Sequence, residues 1–336
     1  MEWQTLTKEL FDLSEYRLGL PQRSGVMTVI PIFGPEAEGA FSPPLIGLRL
    51  NRVVGYGNVE LSNVSEEAVA VVPLHMGYIQ DGAQNHALCR SALLPPGKTI
   101  TMNDACCVQQ SQGGYLKGKE QWFFILPLQL RSQALALRGK NDFGKLWPDI
   151  SLLNERFHLP KRGHLEQIIS RERGYLNQYQ SRFELLSEQI GAIFFIRDEL
   201  VGLEIAPTYQ YFRELWMPLV CFCYGVAAMW EERINGGNEA GPPSPFEAKN
   251  LTELRAELEN ARSEYEQKLL TKLSSAKLGN YEVKEEDTYL NFRLKTLIGT
   301  NFAGQFVEEV EPVGRIFHSH QQKRIIYASI FSIYSL

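Results

Sequence analysis

The sequence opens without a basic start, an apolar stretch or a small-residue cleavage site. MEWQTLTKELFDLSEYRLGL is acidic and amphipathic, so no secretory signal is expected. Cysteine is scarce and odd in number, five in 336 residues. Cys89, Cys106, Cys107, Cys221 and Cys223 lack the paired spacings of a zinc ribbon or a disulfide framework. Both absences point to a reducing, cytoplasmic setting. Positive charge is in deficit, 34 Lys and Arg against 39 Asp and Glu, a net charge of −5. That balance excludes a nucleic-acid-binding surface over the whole molecule. Long hydrophobic runs are missing too. The most apolar window, Trp216 to Trp230, holds 15 residues without a charge, short of the roughly 20 that span a bilayer, and is expected to be a buried core helix rather than a membrane segment. No internal repeat of solenoid type is visible.

What is present is ordinary globular material, 44% hydrophobic and 22% charged, enough for one large or two modest domains. From Val26 to about Leu130, short runs rich in β-branched and aromatic residues alternate with Gly, Pro, Asn and Ser: MTVIPIF, PLIGLRL, NVELSN, AVAVVPL, ALLPPGKTITM and QWFFILPLQL. Such closely spaced strands predict an antiparallel assembly. After residue 150 the period changes. Leu165, Ile168, Ile169, Leu176, Tyr179, Phe183, Leu186 and Ile190 recur at three and four, predicting an amphipathic helix from about His164 to Gln189. GAIFFI and VGLEIAP around Arg197, Asp198 and Glu199 read as a hairpin, and Thr208 as the cap of a helix from about Tyr209 to Arg233, with Pro218 as a possible kink.

Residues 235–246, NGGNEAGPPSPF, read as a linker. The expected organisation is a core over 1–234, a flexible linker over 235–248, and a helix plus closing strands over 249–336 that return to the same fold. The helix Leu251 to Leu273 carries Leu251, Leu254, Leu258, Ala261, Tyr265 and Leu269 on one face. It packs on its own domain or serves as a contact for a protein partner or a second copy. TYLNFRLKTLI, FVEEVEPVG and RIIYASIFSI are the closing strand candidates. The fold class is therefore α+β, a largely antiparallel sheet assembly with two or three long helices packed on it.

The densest polar cluster runs from Gln80 to His86. Amides donate and accept, and histidine adds a titratable ring, so Gln84, Asn85 and His86 suit a small polar ligand. The same residues also suit a turn that caps its neighbours. Cys106 and Cys107 follow; on a strand they point to opposite faces, so at most one faces any pocket. A nucleophilic cysteine would require a base, His86 or His75; the alternative is a buried structural thiol. Gly113 and Gly114 lack the strand-to-helix context of a phosphate loop. His318 and His320 form an H-x-H without a nearby third ligand, and no metal site is expected. Glu204 interrupts the apolar strand VGLEIAP and either faces solvent or requires a buried cation or donors. His75 reads as a core or edge histidine.

These residues carry a resemblance. GAQNHALCRSALLPPGKTITMNDACCVQQSQGGY resembles a poorly characterised prokaryotic family named for its association with ADP-ribosylglycohydrolase and rhodanese/phosphatase-superfamily proteins. Gln84 and Asn85 match the first two positions of its Gln-Asn-Arg triplet, Leu94 and Pro95 its apolar run, and Cys107 and Val108 its Cys-Val-Glu box. Gly191, Gly202, Leu203, Glu204, Phe212, Leu215, Trp216 and Pro218 are similar to its second block. The resemblance covers about residues 20 to 235. His86 stands in place of the family's arginine and Gln109 in place of its glutamate, so a charged constellation is neutral here. The resemblance implies a nucleotide or ADP-ribose-type ligand in NAD-linked metabolism or prokaryotic defence, gripped by Gln84, Asn85 and His86 with Cys107 and Glu204 as neighbours, and no cofactor. It leaves open a hydrolase using His86 or Cys107, and a scaffold using the 251–273 helix.

Overall fold

The computed structural model describes residues 13, 15–37, 39–53, 57–79, 84–110, 122–234, 247–310 and 323–333. Gln80 to Ala83, Gly113 and Gly114, the 235–246 linker and the H-x-H of His318 and His320 lie outside these residues.

The described strands build one nine-stranded sheet and three small ones. In the large sheet Met27–Phe33 pairs with Gln189–Ile196, which turns back as Glu199–Ile205. The last strand, Lys323–Ser332, lies against Glu199–Ile205 and continues to Phe302–Val310, Phe292–Gly299 and Tyr281–Tyr289, all antiparallel. The turn between Gln189–Ile196 and Glu199–Ile205 is two residues long, with Arg197 at φ 52° and Asp198 at φ 60°. This is the positive-φ pair of a type I′ hairpin, whose twist matches that of the strands.

The central strands of the large sheet are buried on both faces, whereas Tyr281–Tyr289 at its edge is largely exposed, and the two-residue period of the strand sorts the side chains. Met27, Val29, Ala192, Phe194 and Phe331 join the larger core, whereas Ile30, Ile32, Ile193, Leu203 and Ile330 join a second core on the other face. The helices Leu128–Ala136, Tyr209–Met217 and Tyr224–Ile234 and the small sheets cover the first face. The second is covered by Leu269 and Leu273 of the helix Leu251–Ser275, with Leu13 and Tyr16. Fold class is thus α+β with a large antiparallel sheet, the one parallel pairing among the described strands being Phe41–Ser42 with Val69–Val72.

Tyr209 to Ile234 is apolar and long enough to cross a bilayer, but 83% of its most apolar window is buried in the fold. It is a core helix. Thr208 caps it by accepting from the Tyr211 N–H at 3.1 Å. Pro218, which has no N–H to give the helical ladder, opens a π-helical stretch, Pro218–Cys223, before α-helix resumes.

Three local expectations are corrected. The segment 164–189 is not one helix but three short ones, Glu166–Arg171, Arg173–Leu176 and Gln178–Arg182, followed by extended chain. The breaks fall at Glu172 and at Asn177, and the second short helix contains Gly174; Gly and Asn are both poor in helix interiors. The segment's apolar positions other than the half-buried Leu186 are buried all the same, Leu165, Leu176 and Tyr179 completely. QWFFILPLQL is a strand only to Ile125; beyond Pro127 the chain becomes the helix Leu128–Ala136. TYLNFRLKTLI is two strands, since Leu290 at φ 52° turns the chain between Tyr289 and Phe292.

Candidate functional site

The polar corner begins with two very short strands. His86–Ala87 pairs antiparallel with Cys106–Cys107, setting Cys107 directly opposite His86 and Cys106 opposite Ala87. Side chains of opposed residues share a face with Cβ atoms about 5 Å apart, so the thiol of Cys107 and the imidazole of His86 are neighbours, and Cys106 points the other way. Beyond Cys107 the chain is stitched on both sides. The Val108 N–H donates to the Asn85 carbonyl at 2.9 Å, and the Leu165 N–H to the Val108 carbonyl at 2.9 Å. Gln109 bridges to His164. Residues 84–86, 107–109 and 164–166 thereby meet.

Their side chains hold one another. Gln84 Nε2 donates to the Gln109 carbonyl at 3.3 Å, and the Asn85 N–H donates to Gln109 Oε1 at 3.0 Å. Asn85 Nδ2 donates to Glu166 Oε2 at 3.3 Å, with His164 Nε2 at 3.6 Å from the same oxygen. His86 Nδ1 donates to the Gln84 carbonyl at 2.8 Å, leaving Nε2 as an acceptor toward the Gly57 N–H at 3.4 Å. Burial pushes the His86 pKa below its ordinary value, so the ring is neutral, and burial pushes the Cys107 thiol up. That thiol donates to the Gln109 carbonyl at 3.2 Å. Asn85, His86, Gln109, His164 and Glu166 are all buried; Gln84 is partly exposed.

Glu204 is elsewhere. It neither faces solvent nor contacts the polar corner: its carboxylate accepts from Arg131 at 2.7 Å and from the Tyr224 hydroxyl at 2.7 Å, deep in the larger core. Arg131 is fully buried, and its Nη2 and Nε find partners nearby. Its Nη2 reaches Ser329 Oγ at 2.5 Å, its Nε reaches His75 Nδ1 at 3.2 Å, and its guanidinium lies 4.3 Å from the centroid of Phe331. Gly202 makes room for this. A Cβ there would stand 2.0 Å from the Tyr224 hydroxyl oxygen. Because Nδ1 accepts, the proton of His75 sits on Nε2; burial first, then the charge of Arg131, hold its pKa well below the ordinary range. His75 is a core histidine within an ion-pair network.

Of the residues singled out in the sequence, Gln84, Asn85, His86 and Cys107 lie together in the fold, and Glu204 does not join them. His164 and Glu166, which lay inside the expected helix, were missed, as was Arg131, whose signal was a lone cation in the apolar run LPLQLRSQALAL. Among the described residues no three His, Cys, Asp or Glu side chains are grouped as a metal ion would require. No curated protein and no solved structure matches the chain. A family model does, over residues 15–299, which takes in the polar corner and, of the Arg131 network, Arg131, His75, Glu204 and Tyr224 but not Ser329 and Phe331. The chain belongs to the ARPP-1 family, described as the ARG and Rhodanese-Phosphatase-superfamily-associated Protein domain.

Proposed function

We propose that this chain binds a small nucleotide or ADP-ribose-type ligand in NAD-linked metabolism or prokaryotic defence, with Gln84 as the outermost contact and Asn85 and His86 behind it. The observation that carries this reading is the corner, drawn from three distant stretches, in which Asn85 is hydrogen-bonded to Gln109 and Glu166, His86 to the Gln84 carbonyl, and His164 lies 3.6 Å from Glu166. Amides with a neutral imidazole suit hydroxyls and base edges, which both donate and accept. Family membership supports the ADP-ribose association. Glu204 has no part in the grip, its carboxylate being committed to Arg131 and Tyr224.

The placement of Cys107 opposite His86 favours a second reading, a hydrolase of such a nucleotide in which His86 takes a proton or Cys107 attacks. The raised pKa of the thiol weighs against the attack. A third reading, a scaffold contacting a partner through the 251–273 helix, is supported by Leu251 and Leu258, 84% and 48% exposed.

Thermal-shift screening with ADP-ribose, NAD and cyclic nucleotides separates the three. Binder and hydrolase predict stabilisation by at least one ligand, the scaffold none. Product analysis of the stabilising ligand divides the first two, and absence of turnover across mildly acidic to mildly basic pH would sink the hydrolase. A Gln84→Ala, Asn85→Ala double variant that keeps full ligand stabilisation would place the site elsewhere.

A further inference from the structure

Cys106 faces away from the polar corner, and what it faces is another thiol. Its Sγ lies 2.8 Å from Sγ of Cys89, which follows the strand His86–Ala87 by two residues, where the chain bends. That separation is within an ångström of the about 2.05 Å of a disulfide bond. Both sulfurs are fully buried, so neither is held apart by solvent, and each is the hydrogen-bonding partner of the other. Charged groups lie on one side of the pair. Asp104 and Lys145 act electrostatically on Cys106, and Asp104 pairs at 3.1 Å with Arg90, whose side chain is 33% exposed.

We infer that Cys89 and Cys106 form a reversible disulfide when the folded protein meets a small peroxide. The remaining cysteines differ in kind. Cys107 points to the opposite face and donates to the Gln109 carbonyl, and Cys221 and Cys223 lie in the core helix. The chemistry balances with hydrogen peroxide as oxidant. One thiol, as its thiolate, attacks a peroxide oxygen, becoming a sulfenic acid and releasing one water. The second sulfur then attacks the sulfenic sulfur, forming the S–S bond and expelling the hydroxyl as a second water. Two thiols and one peroxide give one disulfide and two waters; two electrons pass from sulfur to oxygen. Burial disfavours the thiolate, so the reaction is slow and selects a small oxidant over a bulky disulfide. The bond ties the end of the His86–Ala87 strand to the Cys106–Cys107 strand and fixes the pairing that faces Cys107 to His86. The inference stands whether or not the corner binds a nucleotide.

The test uses the full chain. After graded hydrogen peroxide and removal of the excess, the protein is unfolded in N-ethylmaleimide and digested with trypsin, which separates the two cysteines because Arg90 and Lys98 lie between them. The expected result is one cross-linked pair of peptides containing Cys89 and Cys106, alkylation of the other three cysteines, and loss of the link with dithiothreitol. The oxidised protein should also melt a few degrees higher, since a loop 17 residues apart in sequence is closed. A Cys106→Ala variant should show no peroxide-dependent rise. Five alkylated thiols after peroxide, a sulfinic acid at Cys89 or Cys106 in place of the link, a link involving Cys107, or an undiminished rise in the variant would each overturn the inference. Where the variant does not fold, the wild-type peptide map decides alone.

Discussion

Arg131 shows how much one buried charge commits its neighbours. A guanidinium without solvent is tolerable only with its donors satisfied and a counter-charge at hand, and Glu204, Ser329, His75 and Tyr224 supply both. Glu204→Gln should therefore cost about 3–5 kcal/mol, the usual penalty for leaving one partner of a buried pair uncompensated, measured as a lower urea midpoint. An Arg131→Met, Glu204→Leu double variant should recover much of that loss, because it removes both charges. The histidines give a pH signature. His75 and His86 have native pKa values below the ordinary one of about 6.5, so below that pH the unfolded chain binds protons that the native state refuses. Stability should be flat above about pH 7 and fall as pH drops through 6.5 toward their native values, by up to about 1.4 kcal/mol per unit for each histidine. Denaturant titrations between pH 7.5 and about 5.5 check this. His86→Gln should reduce the slope. A slope of zero in that window would mean that neither ring is held neutral.

At the scale of the element, the helix Leu251–Ser275 divides in two. Its C-terminal half is docked by Leu269 and Leu273, by the Tyr265 hydroxyl 2.7 Å from Thr28 Oγ1, and by Lys268 with Asp198 at 2.5 Å. Its N-terminal half leaves Leu251 and Leu258 exposed. Leu269→Ala should cost about 2–4 kcal/mol through the cavity it opens, while Leu258→Ala should stay within about 0.5 kcal/mol; paired denaturation curves measure the contrast. Hydrogen exchange should be faster over 251–264 than over 265–275. Amphipathic spacing announced this helix but gave no hint of where its docking ends, because the face is defined locally and the surface beneath it is not. The 164–182 segment teaches the converse. Its buried positions were legible from the period of its apolar residues, yet three short turns bury the same residues as one rod would, and the periodicity does not tell them apart.

For the whole molecule, the pairing of Glu199–Ile205 with Lys323–Ser332 joins strands on either side of the 235–248 stretch. Urea unfolding followed by tryptophan fluorescence and by far-ultraviolet circular dichroism should accordingly give coincident transitions. A chain cut within 235–248 should yield two fragments that do not fold separately. Two resolved transitions would show independent units.

Composition and pattern alone determined an α+β class, the burial of the Trp216–Trp230 window, the Arg197–Asp198 hairpin and the opposed faces of Cys106 and Cys107, since each follows from local backbone geometry and hydrophobic period. Tertiary structure decided the rest: that Glu204 meets Arg131, that Cys107 meets His86 while Cys106 meets Cys89, and that His164 and Glu166 complete the polar corner. Those pairings join residues many positions apart, and long-range contact is set by sheet register and packing, which leave no periodic mark in a single chain.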